Sequence, residues 1–397
     1  ADLSLLASIE LKSGDGVGKT FWHQSKYRPP VARSTSGGTR FCDRISFAEQ
    51  RIVVGQYGGI GLGAGHLSES GHGLLRSSGF IEHIQESFPG SKLQCTADGV
   101  VMVVCRKSFL DKLMLKQLIN ANDYLVLPGV YDGLSALVAS QSGFKALYMS
   151  GFGVAASLLG KPDIGLVTAT EMIERAAQIV AAAGTLPVIA DGDNGYGGEL
   201  NVMRLVQAYE RAGVAAIQLE DQVMPKRCGH MEGKSVVPVE EAVRKIRAAV
   251  AARTNPEFLI IARTDSRATH DLDEALSRGH GMLAAGADIL FIEAPQSRAE
   301  MQIIARTFAG VPLVANMVED GKTPDLPPEE LAAMGFRLIL RPVSALLRHA
   351  RVLQLAYAEL AATGALAREQ PRLAFADFNE LVGLAALRQQ VEQFNGA

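Results

Sequence analysis

From about residue 113 the chain alternates two periods. Short apolar runs rich in β-branched residues recur as "DYLVLPGVYD", "KALYMSG", "LPVIADGD", "AAIQLEDQ", "FLIIARTD", "DILFIEA", "VPLVANM" and "FRLILRP". Between them lie stretches with helical spacing, such as "TEMIERAAQIVAAAG", "NVMRLVQAYERAG" and "VEEAVRKIRAAVAAR". Several of these helical stretches run into a glycine, the residue that closes a helix in a left-handed conformation. Eight strand–helix units over roughly 220 residues predict an α/β fold of the (β/α)8 type, whose usual length is about 250 residues. A doubly wound open sheet is the alternative. The eight units and their polar strand ends favour the barrel. Beyond them, "DFNELVGLAALRQQVEQF" predicts an extra amphipathic helix opening at a capping box of Asp377 and Glu380.

Residues 1–112 lack this rhythm. They hold loop-like clusters such as "ARSTSGGTR" and "GQYGGIGLGAGHLSESGHG", and only "SFAEQRIVVGQ" and "GVVMVVC" read as strands. The segment is expected to be an irregular N-terminal extension of unknown role, or a disordered one. Its "SGDGVGKT" resembles a phosphate-binding loop, but Ser13 stands where the first glycine belongs, so no nucleotide site is read there. "GGIGLGAG" opens no clear helix and is not read as a dinucleotide site. Much of the segment is expected to be dispensable, as if translation had been assigned too early a start.

Composition narrows the function. The 397 residues carry a formal net charge of −3, which excludes a nucleic-acid footprint or a polybasic membrane patch. No run of 18 apolar residues predicts a membrane span, and no secretory leader is visible. Four cysteines (Cys42, Cys95, Cys105, Cys228) make no disulfide framework, so a cytoplasmic setting is expected.

Chemistry in such a barrel belongs at the C-terminal strand ends. Those ends carry Tyr148 and Ser150, Asp191 and Asp193, Glu220 and Asp221, Arg263 and Asp265, Glu293, and Asn316, with Asp163 in the loop after the second strand. Asp191 and Asp193, spaced i, i+2, are expected on one face of the third strand. With Asp163 and Glu220 they make an oxygen-only set, which suits Mg²⁺, or Mn²⁺, better than Zn²⁺. Arg263 is the natural clamp for a substrate carboxylate. Cys228 lies in "KRCGH", where Lys226, Arg227 and His230 favour its thiolate. Each residue has a structural alternative: the acids as caps or lysine partners, Arg263 as the partner of Asp265 or Glu293, Tyr148 as core, Asn316 in a turn, His230 as a solvated loop residue.

Taken in order, "PGVYDGLSA", "ALYMSGFGVAASLLGKPDIG", "IADGDNGYGG", "IQLEDQ", "KRCGH", "ARTDS", "ANMVEDGKTP" and "FNELVGL" resemble the isocitrate lyase and phosphoenolpyruvate mutase superfamily over residues 113–397. The "KRCGH" loop is similar to that of the carbon–carbon lyase branch, which acts on 2-methylisocitrate or 2,3-dimethylmalate. The resemblance implies a (β/α)8 barrel whose last helix is exchanged between subunits of a homotetramer. It implies Mg²⁺ held by Asp191, Asp193, Asp163 and Glu220, partly through water. Ser150, Gly151 and Phe152 would meet the oxo-acid carboxylate, with Asp191, Lys226, Gly229, Arg263 and Asn316 completing the substrate-binding set. Cys228 would be the catalytic thiol on a mobile loop, Tyr148 the base, and Glu293 and His230 would tune the thiol. The implied reaction cleaves a 2-hydroxy di- or tricarboxylate to a 2-oxo acid such as pyruvate. Oxaloacetate hydrolysis or decarboxylation and phosphonomutation are the alternatives on the same scaffold, and a non-catalytic binding barrel is the remaining class. "CGHMEGKSVV" lacks the Arg-Pro-Asn-Lys associated with methylisocitrate lyases, which favours a smaller alkylmalate. Arg341 and Asn194 also depart from the usual pattern.

Overall fold

A computed structural model describes residues 115–229, 233–367 and 371–395, together with the backbone of five strands in the first 105 residues. The chain divides into two compact units, Ala1–Cys105 and Arg106–Ala397. In the first, Ala7–Lys12 pairs antiparallel with Gly18–His23, and Val100–Val104 lies between Arg51–Gln56 and Lys92–Cys95. Arg51–Gln56 and Val100–Val104, which lie within the two apolar runs marked in the sequence, pair with each other. Gly18–Thr20 also belong to a strand, where a phosphate-binding loop would open a helix.

The second unit is a closed barrel of eight parallel strands. We number them β1 Leu125–Val130, β2 Leu147–Met149, β3 Val188–Asp191, β4 Ala216–Glu220, β5 Leu259–Thr264, β6 Ile289–Ile292, β7 Leu313–Asn316 and β8 Phe336–Arg341. Each strand pairs with its sequence neighbours, and β8 closes on β1. The expected (β/α)8 architecture is present. β3 to β6 are buried along their whole length, as strands covered by helices on one side and a filled barrel on the other must be.

The barrel interior is a packed core of Leu127, Tyr148, Ile189, Ile261, Phe291 and Leu340. Leu115, Leu118 and Ile119 join it from the helical residues 115–121, directly before β1. Two further clusters pack the helices on the outside of the sheet. The helix Ala169–Ala182 shows how local chemistry sets a boundary: Thr168 and Glu171 form a reciprocal capping box at its start. Glycines in left-handed conformations end the helices Gly151–Leu159 and Glu199–Ala212.

The C-terminal region differs from the sequence expectation. Asp377 caps nothing, because the helix Phe375–Leu381 already starts after Ala374. Gly383, with φ of 79°, then breaks the path before Leu384–Asn395, so two short helices replace one. No residue of these two helices, nor of Ser344–Thr363 before them, is buried.

Candidate active site

Parallel register brings the predicted strand-end residues together. Glu220 on β4 is aligned with Arg263 on β5, and Arg263 with Phe291 on β6. Partners in register point the same way, so the Arg263 guanidinium lies 5.1 Å from the Phe291 ring centroid, on top of the barrel core. Gln218 is aligned with Asp191 in the same manner. Gln218 Nε2 donates to Asp191 Oδ1 at 3.4 Å, and Tyr148 Oη donates to Gln218 Oε1 at 3.1 Å.

Asp193 reaches the site by another route than the one read from its spacing. It lies past the end of β3 with φ of 46°, so a left-handed turn, not strand alternation, returns it beside Asp191. Its backbone N–H donates to Asp191 Oδ1 at 3.0 Å. Tyr196 Oη donates to Asp193 Oδ2 at 2.7 Å. The sequence pattern passed over Tyr196 because a tyrosine three residues beyond an acid carries no period. Asn194 gains a reason here: it accepts from Tyr196 N–H and donates to the Gln222 carbonyl, tying the turn after β3 to the loop after β4.

Lys226 Nζ lies 2.6 Å from Asp163 Oδ1 and 2.7 Å from Asp193 Oδ1, with its side chain 3% exposed. Arg263 is held by Asp265 through two bonds and also faces Glu293 at 3.2 Å and Glu220 at 3.4 Å. Asn316 Nδ2 donates to both Glu293 oxygens. Arg263 therefore takes up the structural pairing open to it, whereas Asn316 closes β7 rather than a turn, and both stand at the site. Asp221, by contrast, is structural: it holds Thr264, the Asp265 N–H and Arg278. Arg341, which ends β8, pairs with Asp325 at 2.7 Å.

Ser150 caps the helix Gly151–Leu159 by accepting from Gly153 N–H, and Gly151 N–H donates to Asp191 Oδ2 at 3.3 Å. Phe152 follows in that first turn. Cys228 is half-buried, and its N–H donates to the Asp163 carbonyl at 3.2 Å. A Cβ on Gly229 would meet Arg263 Nη2 at 2.5 Å and Glu293 Cδ at 2.6 Å, so the Cys228 loop lies directly on that ion pair. His230 lies outside the described residues.

The electrostatics follow from burial. Six carboxylates (Asp163, Asp191, Asp193, Glu220, Asp265, Glu293) share the cluster with the cations of Lys226, Arg263 and Lys234. Burial, with Asp193 close by, pushes Asp191 up to about 6. Burial also raises Asp163, and raises Glu220 well above the carboxylate range. Burial alone would lower Lys226, but Asp193 and Asp163 hold it well above its ordinary value. Burial pushes the Tyr148 phenol far up, which disfavours the phenolate that a base would need.

The donor set fits a hard divalent cation. Its oxygens are all carboxylate, Glu220 Oε1 is buried without a hydrogen bond, Asp193 Oδ1 meets the Lys226 ammonium, and the carboxylates outnumber the cations. Among the described residues no three ligating side chains converge on one point: Lys226 stands between Asp163 and Asp193, and Glu220 turns toward Arg263. A hard divalent cation that keeps several waters needs only one or two of these carboxylates directly. A separate cavity of about 640 Å³, lined by Tyr124, Pro312 and Arg337, opens at the other end of the barrel, beside the strand starts.

The model of the phosphoenolpyruvate phosphomutase family matches residues 115–361. The chain belongs to this family, within the phosphoenolpyruvate mutase and isocitrate lyase superfamily. It is 48% identical to 2,3-dimethylmalate lyase of Eubacterium barkeri over 276 residues, covering 69% of this chain and 95% of that one. It is 44% identical to 2-methylisocitrate lyase of Bacillus subtilis, covering 58% of this chain and 75% of that one. A solved oxaloacetate acetylhydrolase bound to 3,3-difluorooxalacetate matches with a TM-score of 0.69 and 36% identity, over 73% of this chain and 98% of that one. A phosphonopyruvate hydrolase solved with oxalate and Mg²⁺ matches with a TM-score of 0.63 and 28% identity, over 70% of this chain and 97% of that one. The family member described here is an enzyme, and lyases stand among its relatives. Among the described residues no helix is long and apolar enough to cross a membrane.

Proposed function

We propose that the protein is a divalent-metal-dependent carbon–carbon lyase that cleaves a 2-hydroxy dicarboxylate of the alkylmalate type to a 2-oxo acid and a second carboxylate. One observation carries the reading: the half-buried Cys228 is borne by a loop whose next residue packs on Arg263 and Glu293. This supports a thiol acting next to a buried guanidinium and an oxygen-only acid cluster. A proton donor, a carboxylate clamp and a hard-cation site are what cleavage next to a 2-hydroxy carboxylate requires. The similarity to 2,3-dimethylmalate lyase agrees with it.

Asp191 and Asp193 would hold Mg²⁺, with Asp163 and Glu220 completing the site. Bound there, the ion supplies Lewis-acid stabilisation of the substrate's hydroxyl oxygen as it loses its proton. Arg263 binds a substrate carboxylate, and the N–H groups of Gly151 and Phe152 at a helix start orient it. Lys226, Gly229 and Asn316 border the same space. The hydroxyl proton passes to a carboxylate of the buried acid cluster, whose proton affinity burial raises. The electron pair of the breaking C2–C3 bond stays on the departing fragment, and the Cys228 thiol protonates that carbon, leaving a thiolate. Glu293, held by Asn316, and His230 tune the thiol. Tyr148 remains a phenol and fixes Gln218 against Asp191. The stretch after His230 lacks the Arg-Pro-Asn-Lys associated with methylisocitrate lyases. That favours a diacid over methylisocitrate.

The similarity to oxaloacetate acetylhydrolase supports a second reading, hydrolysis of oxaloacetate. Release of 2-oxo acid from 2,3-dimethylmalate, 2-alkylmalates, methylisocitrate and oxaloacetate, with and without Mg²⁺ and with Cys228→Ser alongside, separates the two. Pyruvate from a hydroxy diacid, lost in Cys228→Ser, supports the lyase. Consumption of oxaloacetate alone supports the hydrolase.

A homotetramer with its C-terminal helices exchanged, in a cytoplasmic setting, completes the proposal. Residues 1–112 are proposed to be dispensable. A protein starting near residue 112 that loses folding or activity would refute that part.

A further inference from the structure

We infer that Lys234 is a positioning residue that seats Cys228 over the Arg263–Glu293 pair. Lys234 Nζ donates to the Gly229 carbonyl at 2.5 Å and to Asp265 Oδ1 at 2.7 Å. Its side chain is 1% exposed and that of Asp265 is fully buried. One ammonium thus joins the backbone next to Cys228 to a carboxylate fixed at the end of β5. Asp265 is itself immobilised. It grips Arg263 with both oxygens, and its N–H donates to Asp221.

The geometry leaves the loop little freedom while this link holds. Gly229 already touches Arg263 and Glu293 so closely that no side chain fits there. The Cys228 N–H is fixed to the Asp163 carbonyl on the other side. Without the ammonium, the Gly229 carbonyl loses its buried donor, and among the described residues Asp265 keeps Arg263 as its ionic partner. A buried acceptor without a donor is costly, so the loop would move to let water reach it.

The consequence for chemistry concerns distance. A proton donor must lie within hydrogen-bond reach of the atom it serves, and small displacements lower the rate steeply. Lys234 acts through the backbone that carries Cys228. This rests on the lyase reading only for its catalytic consequence. The seating of Cys228 can be measured without substrate.

The test is the rate at which iodoacetamide alkylates Cys228 in the full-length protein, followed by mass spectrometry of the Cys228 peptide. Lys234→Met is expected to alkylate about tenfold faster or more, given the usual cost of breaking a buried ion pair, with unchanged circular dichroism. On a substrate established for the wild type, kcat should fall with KM nearly unchanged, and Lys234→Arg should recover part of the loss. If Lys234→Met fails to fold, Lys234→Gln, whose shorter uncharged side chain breaks the bridge from Gly229 to Asp265, is read the same way. Alkylation at the wild-type rate in a folded variant overturns the inference. So does a failure of both neutral variants to fold, which would make Lys234 a determinant of the fold. Faster alkylation in a protein that turns over no hydroxy diacid would keep the inference and remove the lyase reading.

Discussion

The Lys226 ammonium stands between Asp163 and Asp193, 2.6 and 2.7 Å from their carboxylates, in a pocket of the barrel mouth that water scarcely reaches. Removing it leaves two buried acids without a cation. Lys226→Met should destabilise the protein by about 3–5 kcal/mol when no divalent ion is present. A divalent ion restores the missing charge, so Mg²⁺ should raise the melting temperature of Lys226→Met by more than it raises that of the wild type. Thermal melts with EDTA and with Mg²⁺ measure both. An equal Mg²⁺ response in the two proteins would show that the ion does not bind in this acid cluster.

Asp191 sets a pH dependence with a defined sign. Its folded value of about 6 lies above the ordinary carboxylate value of 3.8. Between these values the folded state holds more protons than the unfolded one, so metal-free stability falls as pH rises through this window. Two units amount to at most about 3 kcal/mol. Asp265 acts in the opposite direction: Arg263 and Lys234 overcome its burial and hold it low, so its contribution is lost only in stronger acid. Denaturation of metal-free protein between pH 4 and 7 should show the decline, and Asp191→Asn should flatten it. A decline of the same size in Asp191→Asn would refute the assignment to Asp191.

The barrel was legible because its strands are apolar, β-branched and regularly spaced. The strand-end acids were legible because a charged residue closing such a run has few other uses. Other features depend on contacts that spacing does not encode. Asp193 joins Asp191 through a left-handed turn that alternation does not describe. Lys226 reads as a neighbour that would perturb Cys228, but its side chain points back into the acids. Lys234 sits in "MEGKSVV" with no periodic signal, and only the fold carries it to Asp265. Gly383 hides a break inside a stretch whose apolar residues still follow a helical period.

Gly151 shows how tightly the carboxylate cradle is built. A Cβ there would stand 2.6 Å from Asp191 Oδ2. Gly151→Ala must push Asp191 aside and break the bond from the Gly151 N–H. Activity should fall about a hundredfold or more, because a misplacement near 1 Å at a reacting centre has that effect. Stability should fall by only about 1–3 kcal/mol, the usual cost of overpacking. Steady-state kinetics and urea denaturation on the same protein separate the two. A variant with near-normal kcat would show that Asp191 can shift without loss.

The C-terminal helices bear on assembly. Leu355, Tyr357, Phe375, Leu387, Val391 and Phe394 are each more than half exposed, and none of the three helices buries a residue in its own chain. So many large apolar side chains on consecutive helices exceed what a monomer surface ordinarily leaves uncovered. Covering them by exchange with a neighbouring subunit would release about 25 cal/mol for each Å² of apolar surface removed from water. Deleting residues 371–397 should therefore lower the oligomeric state while leaving the barrel folded, since its interior core draws on residues 115–340. Sedimentation velocity gives the mass, and far-ultraviolet circular dichroism the fold. Retention of the full-length assembly by the truncated protein would exclude these two helices as its main contact. Replacing Phe375 and Phe394 with serine in the full chain should weaken assembly in the same direction, by about 3 kcal/mol or more for each aromatic removed from an interface. That variant separates loss of apolar contact from loss of chain length.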